Sequence, residues 1–168
     1  TRPGRNWRNW SVDRLAAWLM ERLAPDEVRG LDGGFGSEVG VNQLQIIGEW
    51  GDDRVVLYGD SEDSTVRLSF GADQVYATNA SFARSLIDTG ALGDTVSLTN
   101  VALIGSTLEL GSSTKGDTPD VLDLSGLVQD SQILQGDDRS EISVLGKIIG
   151  STIDLGDGND EAALVGEA

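Results

Sequence analysis

Three five-residue stretches, Leu122-Asp123-Leu124-Ser125-Gly126, Ile142-Ser143-Val144-Leu145-Gly146 and Ala162-Ala163-Leu164-Val165-Gly166, stand 20 residues apart and decide how the chain is read. Working back toward the N-terminus, the same unit returns as Val96-Ser97-Leu98-Thr99-Asn100, Val75-Tyr76-Ala77-Thr78-Asn79 and Val55-Val56-Leu57-Tyr58-Gly59. Its closing Gly or Asn recurs at intervals of 20, 21, 26, 20 and 20. A second unit, of the form Ser106-Thr107-Leu108-Glu109-Leu110-Gly111, interleaves with the first, and its leading serines, Ser64, Ser85, Ser106, Ser131 and Ser151, recur at 21, 21, 25 and 20. The long interval in both series has one cause, an insertion near 112–118.

Positions one and three of the first unit are apolar in every copy, whereas position two runs through Val, Tyr, Ser, Asp, Ser and Ala. This is the alternation of a strand with one face inside. A 20-residue unit with two short strands cannot bury its apolar face alone, but stacked copies bury a continuous aliphatic column. The expected fold is all-β, a right-handed parallel β-solenoid of about six turns with two strands per turn. At a strand spacing of about 4.8 Å, six turns rise roughly 29 Å. The serines that lead the second unit are expected to form a corner ladder, their hydroxyls bonding turn backbone groups or one another.

The chain has 168 residues, which suits a single domain. It carries 12 Lys and Arg against 28 Asp and Glu, a net charge of −16, so the body repels nucleic acid and attracts cations. With no Cys and no His, disulfides, Cys/His zinc sites, thiol nucleophiles and Ser-His-Asp chemistry are all excluded. The charge is divided unevenly, because residues 1–30 hold six Arg against four acids and three of the four Trp. Three segments follow: a basic, Trp-rich arm with an amphipathic helix over 1–30, a transition over 31–54, and the repeat solenoid over 55–168. Val12, Leu15, Ala16, Leu19, Met20 and Leu23 have helical spacing, Ser11 suits the N-cap, and Pro25 ends the run. Arg2, Arg5, Trp7, Arg8 and Trp10 of the arm are the expected partner-binding residues. No stretch has the roughly 20 apolar residues of a transmembrane helix.

Two residues before each first unit stand Asp53, Asp73, Asp94, Asp120, Ser140 and Asp160. The last of these corners reads Gly156-Asp157-Gly158-Asn159-Asp160, and Gly71-Ala72-Asp73 and Gly51-Asp52-Asp53 keep its Gly-x-Asp core. This corner resembles the Gly-x-Gly-x-Asp repeat of repeats-in-toxin, haemolysin-type calcium-binding proteins, as a divergent variant with a period of about 20. The resemblance implies calcium held by Asp53, Asp73, Asp94, Asp120, Asp157 and Asp160 with the Gly158 backbone, since carboxylates and carbonyls are hard oxygen ligands. The family repeats nine residues in tandem, whereas here the motif marks one corner only. Asp138 and Ser140 replace its Gly and Asp in the fifth turn. The other reading of the Asp row is a solvated series of Asx turns.

Parallel β-helices include polysaccharide lyases, but Arg84, Lys115, Arg139 and Lys147 lie at scattered loop positions and short turns leave little wall for a cleft. Two non-enzymatic functions remain. One is an extracellular or cell-surface structural repeat protein that binds calcium. The other is an assembly subunit, such as a virion fibre, spike or decoration protein, with the solenoid as body and the arm as docking peptide. The last first-unit strand is not followed by a cap, which points to stacking and a homo-oligomer.

Overall fold

The computed structural model describes residues 34–37, 41–42, 44–48, 51–112, 118–137 and 139–166. The helix expected over 12–23, the arm residues Arg2, Arg5, Trp7, Arg8 and Trp10, and Lys115 of the insertion lie outside the described residues.

The chain winds as a parallel β-solenoid of about six turns, and every strand pairing between turns is parallel. The turns have three strand faces, one more than the repeat pattern predicts. The first face is built by Gly34–Ser37, Arg54–Tyr58, Gln74–Thr78, the leading halves of Thr95–Ile104, Asp120–Gln129 and Ser140–Ile149, and Glu161–Gly166. Val41–Asn42, Ser61–Glu62, Ser81–Ala83 and the trailing halves of the three long strands build the second. The third is a six-stranded sheet of Gln45–Ile47, Thr65–Arg67, Leu86–Asp88, Thr107–Glu109, Gln132–Leu134 and Thr152–Asp154.

The two repeated units of the sequence are the first and third faces. The second escapes the pattern because only the two-residue corners Gly59-Asp60 and Asn79-Ala80 set it off from the first, and in the next three turns one long strand runs through both. Asn79 and Asn100 hold φ of +52° and +53° there, a conformation Asn tolerates. At Asn100 the register shifts between Leu98 and Val101, so one strand bends through the corner and serves two faces.

In-register stacking fills the interior. Val55, Val75, Val96, Leu122 and Ile142 form one buried column, and Leu57, Ala77, Leu98, Leu124 and Val144 a second. Phe82, Leu103 and Val128 line the second face, while Ile46, Val66, Ile87, Leu108 and Ile133 line the third. Burying each such side chain contributes about 1.5–3 kcal/mol, so these columns are the main source of stability. Among the described residues, no helix is long and apolar enough to cross a membrane.

One corner carries visible strain. Gly51, Gly71 and Leu92 occupy successive turns, the two glycines at φ of +118° and +159°, and Leu92 at +94°, which a branched side chain adopts only at a cost. Leu92 is 37% exposed, so Leu92→Gly relieves about 1–3 kcal/mol of backbone strain but gives up a partly buried side chain and loosens the unfolded chain, and a net change within about 1 kcal/mol is expected. Urea melts of the two proteins measure it, and a loss of about 2 kcal/mol or more would show the strain to be small.

Candidate functional site

Two side-chain ladders run along the solenoid and tie each turn to the next. In the first, Ser64, Ser85 and Ser106 donate their backbone N–H to the hydroxyl of the serine one turn on, Ser85, Ser106 and Ser131, at 3.0–3.2 Å. Ser131 donates likewise to Ser151 at 3.1 Å, and the hydroxyls of Ser64, Ser85, Ser106, Ser131 and Ser151 bond the carbonyl two residues before. These hydroxyls are committed to the backbone, as the corner chemistry predicts.

The second ladder is the Asp row. The backbone N–H of Asp53 donates to Asp73 Oδ1 at 2.7 Å, that of Asp73 to Asp94 Oδ1 at 2.8 Å, and that of Asp94 to Asp120 Oδ1 at 2.8 Å. Ser140 interrupts the series and donates both its N–H and its hydroxyl to Asp160 Oδ1, each at 2.9 Å. Asp73, Asp94 and Asp120 are therefore brought together in one column, but inside the solenoid, with exposures of 1, 0 and 0%. The sequence holds a signal for this: Asp73, Val75 and Ala77 share one parity, so a strand that turns Val75 inward turns Asp73 inward too. Asp157 and Gly158 lie exposed in the last turn, while Asp160 is half-buried.

Facing the Asp column from the end of the third face are Gly48, Leu68, Thr89, Leu110, Gln135 and Leu155, stacked in that order by their backbone bonds. Thr89 and Gln135 are polar members of this buried series that the repeat pattern does not single out. The Gln135 amide donates to Asp120 Oδ2 at 2.7 Å. Thr89 would favour the carboxylate of Asp94 by donating to it, yet its one proton is directed at the Leu110 carbonyl, 3.1 Å away. The second oxygens of Asp73 and Asp94 are buried and accept no hydrogen bond. Burial pushes the Asp73 carboxyl up to about 6, opposed by the Asp53 N–H and reinforced by the charges of Asp53 and Asp52. Burial likewise pushes Asp94 up to about 7, with Asp73 and Asp120 adding repulsion.

The inner column does not suit calcium. Calcium takes six to eight oxygens at about 2.3–2.6 Å, including water or carbonyls. Here Oδ1 of each of Asp73, Asp94 and Asp120 is occupied by a backbone N–H, Asp120 Oδ2 by Gln135, and the facing series contributes Leu68 and Leu110. No three acidic side chains converge on one point among the described residues.

On the outside, Arg84 is held by Asp63, Nε to Oδ1 at 2.8 Å and Nη2 to Oδ2 at 3.1 Å, and by Glu62. This pairing lowers the Asp63 pKa and raises that of Arg84, the hydrogen bond being the main cause in each case. The open groove beside it, lined by Ser64, Arg84, Ser85 and Glu109, thus offers serines bonded to backbone and an arginine already neutralised. Comparison of the chain with family models, with curated proteins and with solved structures returned no match.

Proposed function

We propose that this chain is a non-enzymatic structural module of an extracellular or cell-surface protein, a stiff three-sided rod whose task is shape and display. The observation that carries this reading is the pair of corner ladders, in which side chains 20–26 residues apart bond the backbone of the neighbouring turn. Ladders of that kind tie the corners of neighbouring turns together, as the sheets tie the faces. The non-enzymatic reading is supported by the commitment of the groove residues, since the Ser64 and Ser85 hydroxyls bond backbone carbonyls and Arg84 is paired with Glu62 and Asp63. The apolar interior is filled by side chains.

Calcium enters this reading at the outer turn. Gly156, Gly158 and Asp160 keep the Gly-x-Gly-x-Asp spacing, with Asp157 between the glycines, and residues 156–159 are exposed, so water can complete the coordination shell. The test is calorimetric titration with calcium followed by thermal melts of wild type and Asp157→Ala. Asp157 is chosen because Asp160 also caps Ser140, and its loss would damage the fold. Binding heat and a raised melting temperature, both lost in Asp157→Ala, are expected. No heat at millimolar calcium removes the metal and leaves the scaffold, whereas turnover of an acidic polysaccharide would overturn the non-enzymatic reading itself.

An assembly subunit is the second reading, and an outer face favours it. Leu145 of Ser140–Ile149 points outward and is 56% exposed, and a large aliphatic side chain left on an outer face suits contact with another subunit. Sedimentation of wild type against Leu145→Asp separates a self-associating face from an inert one.

A further inference from the structure

The Asp column leaves a physical problem that calcium does not solve. Asp73 and Asp94 are at least 99% buried, each has one carboxyl oxygen that accepts nothing, and their neighbours along the column are also aspartates. The charged groups facing Asp73 are Asp53 and Asp52 from the preceding turn and Asp94 from the following one; those facing Asp94 are Asp73 and Asp120. From the third face, the column meets Leu68, Thr89 and Leu110, none of which titrates in this range. The described basic side chains, Arg54, Arg67, Arg84, Arg139 and Lys147, are all exposed. Two unit charges about 5 Å apart repel by about 3 kcal/mol at an effective dielectric constant of about 20, before either is desolvated. A buried carboxylate with an empty lone pair costs far more than a buried hydroxyl without an acceptor.

We propose that the inner aspartate column binds protons rather than metal, with Asp73 and Asp94 standing in the folded solenoid as neutral carboxylic acids in mildly acidic solution, so that folding takes up protons and rising pH loosens the coil. Protonation leaves the ladder intact, because the backbone N–H bonds use Oδ1 and the proton resides on Oδ2. At Asp94 the new hydroxyl has Thr89 beside it as an acceptor.

The sign of the pH dependence follows from linkage. Both groups have folded pKa values, about 6 and about 7, above the ordinary 3.8. Below about pH 4 the folded and unfolded chains hold the same protons at these sites. Between there and pH 7 the folded chain holds more, so stability falls as pH rises, and the full penalty is present above about pH 7. Asp63 runs the other way, since Arg84 lowers its pKa, but its contribution is lost only in stronger acid, below the ordinary aspartate value.

The test is thermal melting at about pH 5 to about pH 8 with chelator present, on wild type, Asp94→Asn and Asp73→Asn/Asp94→Asn. Asn keeps the Oδ1 acceptor, carries no charge, and in D94N its amide can donate to the Thr89 hydroxyl. Wild type is expected to lose about 5 °C or more across this range. The double variant is expected to lose most of that slope and to melt at or above wild type at the alkaline end. Infrared difference spectra supply an independent reading, with a protonated-carboxyl band in folded wild type near pH 6 that the double variant lacks. A wild type whose stability is flat or rises with pH, or an absent band, overturns the proposal. So does calcium raising the wild-type melting temperature through Asp73 and Asp94 while leaving the double variant unmoved. Calcium that acts through Asp157 instead leaves this inference standing.

Discussion

Gly111→Ala is expected to destabilise the solenoid by about 3 kcal/mol or more and to lower its melting temperature by roughly 10 °C. Gly111 leaves the third face at φ +79°, and the methyl carbon added there would overlap the Gly90 carbonyl oxygen. That oxygen belongs to a backbone stacked in register, so it cannot move without breaking the pairing of its own turn. The same crowding recurs at this corner along the axis, where a side chain at Gly90 would meet the Ser69 carbonyl and one at Gly156 the Gly136 carbonyl. Gly51→Ala is the matched control. Gly51 has φ +118° but open space around it, so only the backbone strain of about 1–3 kcal/mol applies. Chemical denaturation of both variants measures the difference, and equal losses would mean that crowding contributes nothing.

Phe82→Ala is expected to lose about 3–5 kcal/mol, the range for emptying a buried aromatic site. Phe82 is the largest fully buried side chain among the described residues, 2% exposed, on the second face. The Ser106 hydroxyl lies 2.9 Å from its carbonyl. If the second face were a loose connection between the other two, as a two-stranded turn implies, the loss would fall within about 1 kcal/mol, the scale of a surface change. Equilibrium urea melts with unchanged m-value decide between these outcomes.

Phe82 also shows why part of the fold was readable in the sequence and part was not. A stacked turn repeats its side chains wherever neighbours must match, and the Val/Leu columns of the first face and the Ser column of the corner do so strictly enough to reveal the period. The second face matches by volume rather than by identity. Phe82, Leu103, Val128 and Ile148 occupy equivalent places, and in the first of these turns the position falls to Ser61. At most a two-residue corner, Gly59-Asp60 or Asn79-Ala80, separates it from the first face in those turns, and the three long strands have none, so strand and corner merge in the pattern. The Asp row was legible as a row, yet Asp is so common in turns that its recurrence alone does not say which way it faces. Parity with Val75 and Ala77 supplies the direction, while Thr89 and Gln135 become meaningful only when the third face is folded against the row.

Each ladder bond joins residues 20 or 21 apart except around the insertion, where the separations reach 25 and 26. Every turn therefore closes a loop of nearly the same length, and the entropy lost in adding it is nearly constant. Lengthening a closure from 20 to 26 residues adds only about 0.2 kcal/mol by the logarithmic rule. Once two or three turns have formed, growth resembles the elongation of a polymer, with a fixed increment per step and no topologically privileged turn. The insertion at 112–118 is consequently a place where evolution or an engineer can add a loop at small thermodynamic cost, provided that Gly111 and Asp120 keep their places on either side.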